Sequence, residues 1–234
     1  MKIIFATGNA HKLSEAQKAI GKAFELTMPK QVGIEGEIPE TGDTLEKNSA
    51  EKAHYIWSLK HETCFADDTG LEVDLLNGEP GVYTARYCSL PATFSDWDNT
   101  QTFESATEAN MQKLLVEMDA AGNSFAKKNS SATDVSAASA STADKEAVES
   151  NRKARFRTVV TLIKDGVEHR FEGVLEGRIA TERCGHEGFG YDPVFIPNGY
   201  DCTLAELPME EKNAISHRGQ AMRALAEFLK KNAE

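Results

Sequence analysis

Cysteine and tryptophan are scarce in this chain: 234 residues contain four cysteines and two tryptophans. Cys64, Cys88, Cys184 and Cys202 form no CxxC pair and no metal-finger spacing, which argues against a zinc module or a disulfide scaffold. Scattered thiols fit a reducing compartment, with a disulfide pair or a reactive thiol as the lesser alternatives. Basic residues are in deficit, 26 against 37 acids for a formal charge of −11. A sequence-independent nucleic-acid binder needs a net basic face, so no nucleic-acid partner is expected. A small anion held by a local basic cluster stays compatible with that balance. No apolar run approaches membrane-spanning length. The opening "MKIIFATGN" has one charge and five apolar residues, short of a signal-peptide core. A cytoplasmic protein without a membrane partner is expected. Familiar catalytic grammar is also missing: there is no GxxxxGK[ST], GxSxG or HExxH, and "GFG" is too short for a dinucleotide fingerprint. His54, His61, His169 and His186 lie apart, without ligand spacing.

The length suffices for one large domain or two small lobes with a real core. Residues 2–6 read as a buried strand, and 11–24 as a helix with Leu13, Ala16, Ala19 and Ile20 on one stripe. Residues 24–28 suit a second strand closed by Pro29. "GEIPETGD" is a loop, and Asp43 followed by Glu46 resembles a capping box opening a helix over 44–59. "TCFADDTGLEVDLL" reads as strand, acidic turn at 67–70, and strand. A helix is predicted over 102–118, with Phe103, Ala106, Met111, Leu114, Leu115 and Met118 inward. Residues 155–164 and 167–175 read as a hairpin turned at Asp165-Gly166. A short strand at 193–196 and a helix over 216–230 close the chain. Residues 119–151, mostly Ala, Ser and charge, offer too little apolar surface to offset their ordering entropy. They read as a disordered or loosely helical insertion in a single domain spanning 1–234.

Several short stretches have chemical potential, each beside a plainer reading. Thr7-Gly8-Asn9 ends a strand and opens a helix, where free backbone N–H groups form an anion site or merely reverse the chain. His11 and Lys12 follow at the positive end of a helix dipole, where cations are disfavoured by roughly 0.3–1 kcal/mol. The last helix repeats the pattern with Ser216, His217 and Arg218. Two basic helix starts make sense around a shared anion; singly, each reads as a solvated turn. In "ADDTG", adjacent carboxylates repel unless a cation or proton is near, and on an extended backbone they point different ways. Asp67-Asp68 is then either a solvated acidic turn or the head of a site, and Glu40 either a loop acid or a ligand. Magnesium is the cation such groups suit, held by one or two carboxylates plus substrate phosphates. "GFGYDP" places Phe189 or Tyr191 where either stacks on a base or plugs the core, and Asp192 before Pro193 either binds or caps the turn. Lys212 by itself reads as a surface lysine.

The wording and order of "FATGNAHK", "ADDTGLEVDLLNGEPGVYTARY", "FEGVLEGRI", "GFGYDPVFIP" and "EKNAISHRGQA" resemble the Ham1-like inosine/xanthosine triphosphate pyrophosphatase family across residues 1–87 and 153–234. The resemblance implies an α/β fold: an elongated two-lobed body, a long twisted mixed sheet flanked by helices, the nucleotide cleft between lobes, and usually a homodimer. It implies hydrolysis of non-canonical purine nucleoside triphosphates (ITP, dITP, XTP) to monophosphate and pyrophosphate. Thr7, Gly8, Asn9, Ala10, His11 and Lys12 match the phosphate-holding loop. Asp68 matches the metal ligand and water-activating base, and Glu40 a second metal-ligating acid, with Mg²⁺ as cofactor. Thr69 stands where many members have Ser. Phe189, Gly190, Tyr191 and Asp192 match the base-binding turn, and Lys212, His217 and Arg218 the remaining substrate contacts. Residues 88–103 and 119–151 depart from the pattern, which bears on the dimer more than on the chemistry. The competing readings are another nucleoside triphosphate hydrolase specificity and a non-catalytic nucleotide sensor; retention of both Glu40 and Asp68 speaks against the sensor.

Overall fold

Apolar residues of alternating parity on neighbouring strands set up the layers that position the site. The computed structural model describes residues 1–129 and 152–232. In chain order the elements are β1 (Lys2–Phe5), α1 (Ala10–Ile20), β2 (Glu25–Thr27), α2 (Leu45–Lys60), β3 (Cys64–Val73), β4 (Pro80–Gly81) and α3 (Ala106–Asn129). They continue with β5 (Lys153–Lys164), β6 (Val167–Ile179), β7 (Phe195–Pro197), α4 (Met209–Ile215) and α5 (His217–Lys231). The strands form one seven-stranded mixed sheet in the order β2-β1-β3-β5-β6-β7, with β4 paired to β3. β1 runs parallel to β2 and β3, whereas β3–β4 and β6–β7 are antiparallel. The α/β class with a mixed sheet and flanking helices is as the sequence implies.

The chain divides into two compact units, the first from Met1–Gly70, Phe156–Leu175 and Glu210–Glu234, the second from Leu71–Arg155 and Glu176–Met209. In the first, the strand period of two separates two hydrophobic layers. Ile3, Phe5, Phe65, Val160 and Leu162 face α1 and α5, meeting Ile20, Met222 and Leu225. The opposite parity, Ile4, Ala6, Cys64, Ala66 and Ile163, faces Ala53 and Ile56 of α2. Phe5 and Phe65 are register partners, and their rings stack at 4.4 Å. Burying each large apolar side chain contributes roughly 1.5–3 kcal/mol.

Several expectations change. The acidic turn at 67–70 does not form: these residues lie inside continuous β3. Both faces of the strand are covered there, and each acid finds a cation on its own side, so no solvated turn is needed. The cap of α2 is Thr44, whose Oγ1 accepts from Lys47 N at 3.2 Å, while Asp43 pairs with the Lys47 ammonium. α3 continues to Asn129, through the first part of the stretch read as an insertion; residues 130–151 of that stretch lie outside the described residues.

The second unit is organised by polar side chains buried on α3. Lys113 is fully buried, and its Nζ donates to the carbonyls of Tyr87, Leu90 and Pro91 at 3.0, 2.7 and 3.0 Å. Glu117 accepts from Thr93 N, Phe94 N and Ser95 Oγ, and Asn110 exchanges hydrogen bonds with Cys88 N and the Ala85 carbonyl. Spacings of three and four residues place all three side chains on one helix face, which fixes the irregular segment 85–95 to α3. The stripe predicted from Leu115 is thus displaced: Leu115 is only half-buried, and Lys113 and Glu117 turn inward. Lys113→Met should cost about 2–3 kcal/mol, because three carbonyls, that of buried Tyr87 among them, lose their donor. The urea midpoint checks this, and an unchanged midpoint would contradict it.

Candidate functional site

Within the first unit, alternation along β3 sends the two adjacent acids to opposite faces of the sheet. Asp67 follows Phe65 onto the face of α1 and α5, while Asp68 follows Ala66 onto the face of α2. Asp67 is almost sealed, with a side chain 2 % exposed. Both its oxygens accept from Lys12 Nζ, at 3.0 and 2.9 Å, and Arg218 Nε lies 3.5 Å from Oδ2. Burial pushes the Asp67 carboxyl up, but Lys12, Arg218 and Lys52 outweigh it and hold the group below its ordinary value.

On the other face, Asn48 and Lys52 stand one turn apart on α2. Asn48 Nδ2 donates to Asp68 Oδ2 at 3.0 Å, and Thr69 N donates to Oδ1 at 3.0 Å. Lys52 Nζ lies between two carboxylates, 2.7 Å from Glu40 Oε1 and 3.7 Å from Asp68 Oδ1. Glu40 and Asp68 thus share one ammonium. The Glu40 loop is pinned to the same helix: Thr41 N donates to Glu51 and Gly42 N to Asn48 Oδ1, both at 2.7 Å. A Cβ at Gly42 would lie 2.6 Å from Lys47 Cβ, so this close approach requires glycine. Burial, with Glu40 adding to it, raises the Asp68 carboxyl to about 6 against the downward pull of Lys52 and Asn48. Glu40, also pushed up by burial, is carried below its ordinary value by the Lys52 ammonium.

The turn before α1 is open. Asn9 N donates to Thr7 Oγ1 at 3.1 Å, and the Asn9 side chain accepts from Lys12 N at 3.3 Å, capping the helix. Thr7 is buried, Gly8, Asn9 and Ala10 are exposed, and a Cβ at Gly8 would meet nothing within 4 Å. His11 lies in α1. Thr69 Oγ1 lies 2.8 Å from Thr158 Oγ1. Lys212 is half-buried on α4. At the start of α5, Ser216 Oγ caps the helix by accepting from Gly219 N at 2.9 Å. His217 stacks on Phe156 at 4.9 Å, and its buried Nδ1 has no hydrogen-bond partner among the described residues. Burial, reinforced by Arg218, depresses His217 to about 3, so its ring is neutral. Arg218 Nη1 donates to Glu15 at 2.9 Å.

His217 has a consequence for stability. The unfolded chain takes up this proton near pH 6.5 and the folded chain only near pH 3. Stability carried by neutral His217 is therefore complete above pH 6.5 and lost as pH falls toward 3. Asp68 has the opposite sign: its folded carboxyl protonates near pH 6, before the unfolded one near 3.8, which relieves the cost of its burial. In metal-free protein the two slopes oppose each other between those values. His217→Gln should remove one of them, leaving a variant that loses less stability than wild type on acidification below pH 6.5. Urea titrations across pH 7 to 4 test this; parallel curves would contradict it.

The turn Phe189–Asp192 belongs to the second unit. Phe189 is 63 % exposed, whereas Tyr191 is buried and its hydroxyl donates to the Thr84 carbonyl at 3.0 Å. Asp192 Oδ2 accepts from Phe189 N at 2.8 Å, and Gly190 takes φ +63°, a conformation glycine adopts without strain.

The first unit thus brings Lys12, Glu40, Asp68 and Arg218 into one cluster of alternating charge, together with three residues that sequence reasoning did not select: Asn48, Lys52 and Asp67. A signal for two of them exists. Asn48 and Lys52 share the inward stripe of α2 with Ala53 and Ile56, and polar residues on such a stripe need partners. Among the described residues no three or more His, Cys, Asp and Glu side chains gather as a metal cage. Two carboxylates meeting at a buried strand nevertheless fit a hard ion that takes its other oxygens from water and phosphate.

The comparisons agree along the length of the chain. The Ham1 family model matches residues 3–148 and 124–228. A dITP/XTP pyrophosphatase of Porphyromonas gingivalis is 40 % identical over 228 residues, covering 97 % of each chain. One from Christiangramia forsetii is 38 % identical, over 99 % of this chain and all of that one. Among solved structures, a HAM1 protein from Coxiella burnetii superposes with TM-score 0.76 at 31 % identity, covering 99 % of both chains. The Staphylococcus aureus Ham1 protein superposes at 0.73 and 30 %, covering 99 % of this chain and all of that one. With Asp68 and Glu40 joined around Lys52 and relatives of this likeness matched end to end, the chain belongs to the Ham1 family.

Proposed function

We propose that this protein hydrolyses non-canonical purine nucleoside triphosphates, ITP, dITP and XTP, to the monophosphate and pyrophosphate, and so cleanses the nucleotide pool. The observation that carries the reading is the pairing of buried Asp68 with Glu40 beside cations drawn from three helices. Glu40 and Asp68 would hold Mg²⁺, which when bound supplies charge neutralisation and polarisation of the anhydride between the α and β phosphorus atoms. Asp68 orients the attacking water and takes its proton. As the new P–O bond forms, the anhydride bond breaks and pyrophosphate leaves. Lys12, Lys212 and, in the turn Thr7–Asn9, the backbone N–H of Gly8 stabilise the charge on the phosphates, so positioning and electrostatics provide most of the acceleration.

Base choice follows from donors at the start of α5. Hypoxanthine and xanthine present a 6-oxo acceptor where adenine presents an amino donor. Arg218, neutral His217 or a backbone N–H rewards the former, and a buried donor left unpaired by adenine discriminates by up to roughly 10⁴-fold. Of the two aromatic rings in the glycine-rich turn, Phe189 is the exposed one and suits base stacking. A cytoplasmic setting is proposed from the four free cysteines, which suit a reducing compartment. A homodimer is proposed on the family's habit, and sedimentation checks it. The deciding experiment is a panel of ITP, dITP, XTP, ATP and GTP with and without Mg²⁺, scoring pyrophosphate against orthophosphate. Pyrophosphate from the 6-oxo, non-canonical nucleotides in Mg²⁺ alone is expected; orthophosphate, or turnover of ATP at the same rate, would refute the reading.

A further inference from the structure

Asp67 has no part in the chemistry given to Asp68, yet it is the more completely enclosed of the two acids. Among the described residues the partners of its carboxylate are cations: Lys12 at 3.0 and 2.9 Å and Arg218 at 3.5 Å. Glu15 holds the far end of the same guanidinium at 2.9 Å. Lys12 belongs to the first turn of α1 and Arg218 to the first turn of α5, where the helix dipole disfavours positive charge. A buried ion pair typically stabilises a fold no better than apolar packing of the same volume. Stability alone therefore gives no reason to bury an acid so as to anchor cations at two helix starts.

The arrangement does have a geometric result. One carboxylate on a rigid central strand collects cations from two helices at a single place. Lys12 ends a flexible four-carbon stem, and ordering such a side chain at a binding surface costs conformational entropy. A stem already tethered before an anion arrives has met that cost in folding. The Lys12 side chain is 25 % exposed, so its ammonium is tethered without being sealed off. We propose that Asp67 is a positioning residue for polyphosphate binding: it presets Lys12 so that the phosphate chain meets a cation already in place, with Arg218 held against the same carboxylate. The proposal rests on the functional reading above only in assigning Lys12 to the phosphates.

Calorimetric affinity for inorganic tripolyphosphate isolates this step, because the probe has neither base nor sugar. Asp67→Asn should raise Kd about tenfold, the scale of ordering one long side chain at the moment of binding. In a Lys12→Met background the same change should cost far less, because the group that Asp67 holds is gone. Equal losses in the two backgrounds, or unchanged affinity in the first, would overturn the proposal. If Asp67→Asn does not fold, Asp67→Glu serves: it keeps the charge, displaces the ammonium, and should weaken tripolyphosphate only when Lys12 is present. With ITP, Asp67→Asn should raise KM much more than it lowers kcat, the reverse of the split expected at Asp68; a loss confined to kcat would count against positioning. Failure of the wild type to hydrolyse ITP, with the tripolyphosphate coupling intact, would remove the functional reading and leave the positioning role standing.

Discussion

Asp68→Asn should lower kcat with ITP by about 10³-fold or more, while the Kd for the nucleotide changes by less than about threefold. The substitution keeps the shape of the side chain and removes the group that accepts the proton from water. Both Asp68 oxygens accept hydrogen bonds, from Asn48 Nδ2 and Thr69 N. An amide has one such oxygen, so one donor loses its partner at a cost of about 1–3 kcal/mol. Against that, a carboxyl pushed up to about 6 by burial is one whose charge is costly to bury at neutral pH, and the variant is relieved of that cost. The melting temperature at pH 8 should therefore stay close to that of wild type, and the lost turnover cannot be assigned to unfolding. Rapid-quench measurement of a single turnover, alongside equilibrium binding, distinguishes lost chemistry from lost affinity. Near-normal kcat would show that another group activates the water.

The second large effect is expected from one methyl group. Gly173 lies in β6 where the first turn of α5 crosses it, and a Cβ built there would sit 2.0 Å from the His217 carbonyl oxygen and 2.7 Å from Ala221 N. These are backbone atoms, so no side chain can swing away; the helix start itself has to move. Gly173→Ala should destabilise the protein by about 2–3 kcal/mol, the upper part of the range for overpacking. At roughly 2–4 °C per kcal/mol for a chain of this size, the melting temperature should fall by about 5–10 °C. Because His217 and Arg218 ride on that turn, KM for ITP should rise in the fraction that remains folded. Gly8→Ala is the matching control, since a Cβ there meets nothing within 4 Å. If Gly173→Ala melts with wild type, α5 does not lie against β6 as described.

The alternation of strands and helices was legible because each element has its own period and punctuation. The hairpin at Asp165-Gly166 is an example: both residues take positive φ, +53° and +78°, as the dipeptide suggests. The site was legible mainly through resemblance. Lys212 alone reads as a surface lysine, and Glu40 as one more loop acid. Local reasoning failed most clearly at Asp67-Asp68, where two adjacent charges spell a solvated turn. What keeps them inside a strand is partners far away in sequence: Lys12 and Arg218 on one side, Asn48 and Lys52 on the other. The same holds for Lys113 and Glu117, whose polarity predicts an outward face of α3 and whose partners are backbone groups of 87–94 and the Ser95 hydroxyl. Buried charge is invisible to periodicity whenever its compensation comes from elsewhere in the chain.

Because β3 shows its side chains to two faces in turn, the distinction between its neighbouring acids is one of parity and not of composition. Losing or gaining a single residue just ahead of Ala66 would leave every side chain of the motif in the protein. It would nevertheless hand the tether's place to the acid meant for water, and the water's place to the tether. Drift in this strand is therefore tolerable in steps of two and ruinous in steps of one.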